Sequence, residues 1–236
     1  MKRVWLSALL LAPVVLAVAA EHRTIDAGES VRGRPIVAQR QGDDDALVRV
    51  LVVGQIHGDE PAGRKVIRAL RRLAPPRNVA VWSIQTVNPD GALRGTRQNA
   101  RGVDLNRNFR RGWRPSPPGT RYYGGPRPFS EPESRAVRRL VRRITPRLTI
   151  WYHQPYAFVV RPYGRGVALA RRYARLAGMR LRQLPRYPGT ATGWQTHRFP
   201  DSDAFVVELA AGSLSARRAR RHAEVVLRVA RGLRRP

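Results

Sequence analysis

The stretch "VVGQIHGDEPAG" (52–63) begins as an apolar run and ends in His57, Asp59 and Glu60. A histidine and a glutamate three positions apart at a strand's end make a poor core and a good half of a metal site. By itself H-x-x-E recurs often by chance, so it needs a partner. A catalytic zinc site takes three protein ligands and keeps one position open. His153, closing "LTIWYH" (148–153), is the natural third ligand, although alone it also reads as an ordinary histidine at a core edge. Glu208, near the end of "DAFVVELA" (203–210), is a carboxylate in an apolar strand. Such a group carries a desolvation cost unless it is paired or metal-linked. Partial burial also raises its pKa towards the range of a general base. A salt bridge to one of the many arginines is the plainer alternative. The chain has no cysteine, so any metal must be held by His, Asp or Glu.

These residues need elements to carry them. "PIVAQR" and "ALVRVLVVG" (46–54) read as successive strands separated by the acidic turn "GDDD" (42–45). Ala62, Val66, Ala69, Leu70 and Leu73 recur at helical spacing after Glu60. A strand follows at "VAVWSIQT" (79–86), then a turn at "NPDG" (88–91). Residues 92–129, rich in Gly, Pro and Arg, read as a long loop, and loops of that length in a compact domain are usually functional. Ser130 is the expected N-cap of a helix reaching Ile144. Beyond strand 148–153 come a short strand at 157–160, a helix near 166–177, the strand 203–210 and a last helix from Ser215 to about Leu233. Alternating strands and helices predict a single-domain α/β sandwich whose mixed, mostly parallel central sheet is flanked by helices. Ligands collect at the carboxyl ends of such strands, and His57, His153 and Glu208 all fall there.

With 236 residues and 42% apolar content, the chain suffices for one substantial domain. Residues 1–20 have the pattern of a secretory signal: Lys2 and Arg3, then "LSALLLAPVVLAVAA" ending in small residues. The run is short for a membrane span and Pro13 interrupts it. The expectation is therefore a cleaved signal peptide, no stable membrane span, an extracytoplasmic protein and a catalytic domain over 21–236. The formal charge is +29, yet only Lys2 and Lys65 are lysines, so 43 of the 45 basic residues are arginine. Codon usage in a GC-rich genome accounts for that skew without a dedicated nucleic-acid face. Exported, such a protein would still concentrate at anionic cell-wall polymers.

The loop "GTRQNARGVDLNRNF" (95–109), together with HGDE, NPDG and the VEL strand, resembles the zinc carboxypeptidase family in order and approximate spacing from residue 34 to 215. "GRPIVAQ", "GQIHGDEPAG", "EPES" and "VELAAGSLS" point to its bacterial murein peptide amidase branch. The resemblance implies one zinc ion on His57, Glu60 and His153, with Asp104 bonded to a ligand histidine. It implies Glu208 as the catalytic acid–base and Arg97 at the developing oxyanion, with Arg101 a rival. It implies Asn106 and Arg107 as receivers of the substrate's terminal carboxylate and Tyr187 as a ring closing over substrate. Arg110 and Arg111 stand where a proline is expected after "NRNF", and Ala210 where the branch often has proline. Trp194 reads as either pocket wall or core.

From residues alone the expected reaction is hydrolysis of an amide beside a terminal carboxylate. The branch narrows it to the γ-D-glutamyl–meso-diaminopimelate bond of murein tripeptide. A general metallocarboxypeptidase or an N-acyl amino acid deacylase is the second reading. A cationic wall- or nucleic-acid-binding module with a dead site is the third, and it would predict a damaged ligand set. The pattern carries no sign of specific nucleic-acid recognition and none of oligomeric state.

Overall fold

The computed structural model describes residues 23–233. The signal peptide expected at 1–20 lies outside the described residues. The strands are β1 (Arg23–Glu29), β2 (Pro35–Gln41), β3 (Val48–Val53), β4 (Val79–Ile84), β5 (Leu148–His153), β6 (Tyr156–Val160), β7 (Arg180–Arg182) and β8 (Asp203–Ala210). The helices are α1 (Ala62–Leu70), α2 (Pro89–Arg94), α3 (Pro132–Ile144), α4 (Val167–Ala177), α5 (Ala191–Arg198) and α6 (Ala216–Ala230), with a 3-10 turn at Leu105–Arg107. All eight strands form one sheet in the order β1-β2-β4-β3-β5-β8-β6-β7.

The four central strands β4, β3, β5 and β8 are mutually parallel, while β2 joins β4, and β6 joins β8, in antiparallel fashion. The sheet is thus mixed and mostly parallel, as the alternation of elements predicts. Its central strands are apolar runs because both faces are covered. Val50, Val52, Leu148, Ile150, Tyr152, Phe205 and Val207 pack on one side against α1, α4 and α6. Leu51, Val53 and Trp151 pack on the other with α3, Trp194 and the aromatic residues Phe109 and Phe129. Because side chains alternate along a strand, His153 shares the second face with Trp151. Glu208 shares it with Val206.

Four details depart from the sequence pattern. β1 is an additional edge strand. "NPDG" opens a short helix, with Asn88 Oδ1 accepting from Gly91 N at 2.9 Å, rather than a bare turn. The N-cap of α3 is Glu131, in extended conformation before Pro132 and with no side chain capping the helix, and the Ser130 hydroxyl donates to Glu131 Oε1 at 2.7 Å. β7 and α5 occupy the stretch between the predicted helix near 166–177 and the predicted strand at 203–210. No helix among the described residues is long and apolar enough to cross a membrane.

The long loop is held by buried Asn108. Its Nδ2 shares its two hydrogens among Gly124 O, Arg127 O and Ser130 Oγ at 2.6, 3.1 and 2.8 Å, and its Oδ1 accepts from Ser134 Oγ and Glu131 N. Replacing it strands several buried donors and acceptors, each of which costs about 1–3 kcal/mol when unpaired. Asn108→Ala is therefore expected to lower unfolding free energy by about 2–4 kcal/mol in a urea titration, in the range of disrupted buried networks.

Under the other face, Tyr152 and Tyr173 share a hydroxyl contact of 2.8 Å, and Tyr173 Oη lies 2.8 Å from His222 Nδ1 on α6. Burial, aided by Arg221 and Arg218, pushes His222 down to about 4, so the imidazole stays neutral beside the Tyr173 hydroxyl. The unfolded chain binds a proton near the ordinary histidine value while the native state does not, so stability falls as pH drops from about 6.5 to 4. His222→Gln should flatten that limb of a stability-versus-pH curve, leaving only the slope that the carboxylates contribute.

Candidate metal centre

The carboxyl ends of the parallel strands deliver the chemistry to one place. β3 runs out into Gly54–Ile56 and the loop carrying His57 and Glu60. Gly58 in that loop lies against Gly91 of α2, so closely that a Cβ would collide with the Gly91 backbone and with Thr96 O. Gly63 lies equally close to Gly54 O and the Tyr152 side chain, which seats the start of α1 on the sheet. The glycines of HGDEPAG and NPDG are therefore there to let backbones touch. β5 ends in His153, and the β5–β8 register pairs His153 directly with Glu208.

His57 Nδ1 lies 2.8 Å from Glu60 Oε1, and His153 Nδ1 lies 2.8 Å from Glu60 Oε2. The two Nδ1 atoms face each other at 3.1 Å. All three side chains are buried, and they form a potential ion-binding set among the described residues. Two imidazole lone pairs cannot bond one another, whereas a tetrahedral ion about 2.0–2.1 Å from each nitrogen holds them a little over 3 Å apart. The donor set of two His and one Glu also matches an open catalytic zinc site. The residues present thus fit a zinc ion, and His57, Glu60 and His153 are positioned to bind it.

Around the donors the electrostatics are mutually supporting. His57 turns its Nε2 to Asp104 Oδ1 at 3.1 Å, which leaves the Nδ1 lone pair for the ion. Burial opposes protonation of His57, but Asp104 and Glu60 outweigh it and raise its proton affinity. An environment that favours a proton there favours a competing cation too. Asp104 is buried, which alone would raise its pKa, yet His57 and Arg97 hold it well below the usual carboxylate range. Glu60 is depressed in the same way by His153 and His57 despite burial. Glu208 behaves in the opposite sense. Burial pushes its carboxyl above the ordinary value, against the pull of His153, and its Oε2 has no hydrogen-bond partner among the described residues.

Arg97 grips Asp104 Oδ2 through Nε and Nη2, at 3.1 and 2.8 Å. Its Nη1 is left 3.2 Å from His57 Nδ1 and 3.3 Å from Glu60 Oε1. Arg101 instead points to Glu131, 3.7 Å away, with its side chain 56% exposed, so Arg97 is the arginine at the donor set. Arg107 is half-buried, and among the described residues its guanidinium bonds Asn106 O alone, at 2.7 Å. Its guanidinium is sandwiched between the rings of Tyr122, at 5.3 Å, and Tyr187, at 4.8 Å. Both tyrosines line a cavity of about 240 Å³ beside Arg107. Asn106 accepts from Ala191 N at 3.0 Å and so anchors the start of α5. Trp194 is core, packed on Phe109, Phe129 and Phe199. Tyr122 is missed by the sequence pattern, since one tyrosine in a Gly/Arg-rich loop carries no period or spacing.

A family model described as zinc carboxypeptidase matches residues 17–224. The chain belongs to the zinc carboxypeptidase family. Murein peptide amidase A of Escherichia coli (strain K12) is 31% identical over 153 residues, covering 57% of this chain and 60% of that relative. Carboxypeptidase SOL1 of Arabidopsis thaliana is 34% identical over 103 residues, covering 37% of this chain and 21% of that relative. The matches therefore span less than two thirds of these relatives. Among solved structures, murein-tripeptide amidase MpaA from Escherichia coli O157 superposes with a TM-score of 0.72 at 26% identity, covering 95% of this chain and 98% of that one. Carboxypeptidase A from Helicoverpa armigera, with a TM-score of 0.74 at 20% identity over 89% and 68% of the two chains, shares the fold.

In a zinc carboxypeptidase the carboxylate behind a ligand histidine sets its tautomer and basicity. Loss of such a partner typically costs 10–100-fold in metal affinity. Asp104→Asn is expected to weaken zinc binding by about that factor, read by competition with a chromogenic chelator.

Proposed function

We propose that this protein is an exported zinc amidase that cleaves the γ-D-glutamyl–meso-diaminopimelate bond of murein peptides. The observation that carries the hydrolytic part is Glu208. A buried carboxylate with an unpartnered oxygen sits in register with ligand His153, where its charge is felt by all three donors and by Arg97. Leaving such an oxygen unpaired costs stability, which suits a group kept free to handle a proton.

His57, Glu60 and His153 would hold the zinc ion, which when bound would supply Lewis acidity for the amide carbonyl and for water. Glu208 takes a proton from the attacking water as the new carbon–oxygen bond forms. It gives that proton to the nitrogen as the carbon–nitrogen bond breaks, releasing an amine and a carboxylic acid whose remaining proton passes to the amine to leave carboxylate and ammonium. Its raised proton affinity fits both halves of the task. Arg97, fixed by Asp104, directs Nη1 towards the negative charge that develops on the carbonyl oxygen. Arg107 and Asn106 receive the terminal carboxylate of the leaving residue, for which a planar guanidinium fork is well shaped. Tyr187, 47% exposed and stacked on Arg107, is placed to cover that residue once it is seated.

The murein substrate is supported by the likeness to murein peptide amidases in sequence and in structure. Export is supported by the apolar segment after Lys2 and Arg3, and affinity for anionic wall polymers by the excess of arginine. The deciding experiment incubates zinc-loaded protein with L-Ala-γ-D-Glu-meso-diaminopimelate beside an ordinary C-terminal peptide and identifies products by mass. Free diaminopimelate from the first substrate alone is expected; faster release of a residue from the ordinary peptide would mark a general carboxypeptidase instead. Glu208→Gln is expected to keep zinc affinity while lowering kcat at least about 100-fold, as for the loss of a general base.

A further inference from the structure

Directly after His153 comes Gln154, a buried amide that touches three segments of the site at once. Its Oε1 accepts from the backbone N–H of Ala62 at 2.8 Å, at the start of α1 just beyond Glu60. Its Nε2 donates to Ala210 O at 2.8 Å and to Gly212 O at 2.9 Å, just beyond Glu208. Its own backbone N–H donates to Glu60 Oε2 at 3.3 Å, the oxygen that also meets His153 Nδ1.

A primary amide suits this junction because it offers one acceptor and two donors on a single planar group. An ionised glutamate would lack the donors, and an apolar side chain would leave the Ala62 N–H and two carbonyls without partners. The bonds run across the sheet's carboxyl edge, between chain segments up to 94 positions apart. Parallel register fixes β5 against β8 up to the pair His153–Glu208, but among the described residues no strand pairing reaches the loop that carries Glu60. The Gln154 side chain supplies that missing tie.

We propose that Gln154 is a positioning residue that fixes Glu60, His153 and Glu208 relative to one another, and so sets zinc affinity as well as the placement of the base. The zinc part rests on the donor set alone. The part concerning Glu208 rests on the hydrolase reading above.

The test uses the full-length protein and the variants Gln154→Leu and Gln154→Met, two apolar side chains of similar volume. Zinc affinity is measured by chelator competition, thermal stability on the metal-free protein, and kcat and KM on the murein tripeptide. Val66→Ala, a truncation in α1 facing away from the site, is the control for general loss of stability. The expected result is zinc binding weakened about tenfold or more in whichever Gln154 variant folds, the scale of lost supporting contacts at metal sites. kcat should fall while KM stays within about twofold, and Val66→Ala should leave zinc affinity unchanged. Gln154 variants that bind zinc as tightly as wild type would overturn the proposal. So would a Val66→Ala protein that loses as much affinity at equal loss of stability. A wild-type protein that binds zinc without turnover would count against the hydrolase reading alone, and the zinc comparison would still decide the role of Gln154.

Discussion

The structure turns on a concentration of buried negative charge that must be balanced. Glu60, Asp104 and Glu208 are all buried within one small region, and burying a carboxylate without compensation is costly. Arg97 offsets one of the three. The imbalance that remains is the charge of a divalent ion, and it lies around His57 and His153, whose ring nitrogens can bind that ion without adding charge. Arg107 then stands at the rim without a salt bridge among the described residues, bonded to a carbonyl and stacked on two aromatic faces. A substrate ending in a carboxylate would complete the balance. On the proposed function, metal, base and substrate carboxylate would all answer one electrostatic requirement.

The sheet meets that requirement by topology. Parallel strands end together, so residues as distant in sequence as His57, His153 and Glu208 arrive at one edge without long connections. Covered faces keep the edge dry enough for charge pairing to be strong. Glycine then permits the close backbone approaches, at Gly58 and Gly63, that bring the His57–Glu60 loop down onto the sheet. A side chain at either position would collide with the backbone packed against it, so these glycines serve the metal site although neither carries a functional group.

What the sequence reveals follows the strength of its physical signal. The buried strands at 148–153 and 203–210 are apolar runs with both faces covered, and they occupy those very residues. The edge strand Arg23–Glu29 and the three-residue strand Arg180–Arg182 have one covered face at most, so their pattern is faint. Helix Ala191–Arg198 contains Gly193 and follows a proline- and glycine-bearing stretch, which masks it. His57, Glu60 and His153 were legible because zinc chemistry restricts residue type and placement. Gln154, Asn108 and Tyr122 were not, because two of them bond backbone atoms and the third stacks on guanidinium groups. Such contacts leave no period and no spacing to detect.

The arginine content poses the reverse problem, abundant signal with little information. Charge alone does not separate Arg97 from Arg101, four residues on in the same loop. Burial does. A guanidinium keeps its proton under all ordinary conditions, so holding one against the metal donors is favoured by a partner of opposite charge, and Asp104 supplies it to Arg97 with two hydrogen bonds. Arg101 stays in solvent with a distant carboxylate, where an ion pair contributes little. Asp104 is at the same time the partner of His57. One carboxylate therefore sets the orientation of a metal ligand and of the cation beside it, and the two cannot be varied independently. That coupling explains why a chain can scatter arginine freely over its surface and still place a single guanidinium accurately at the metal centre.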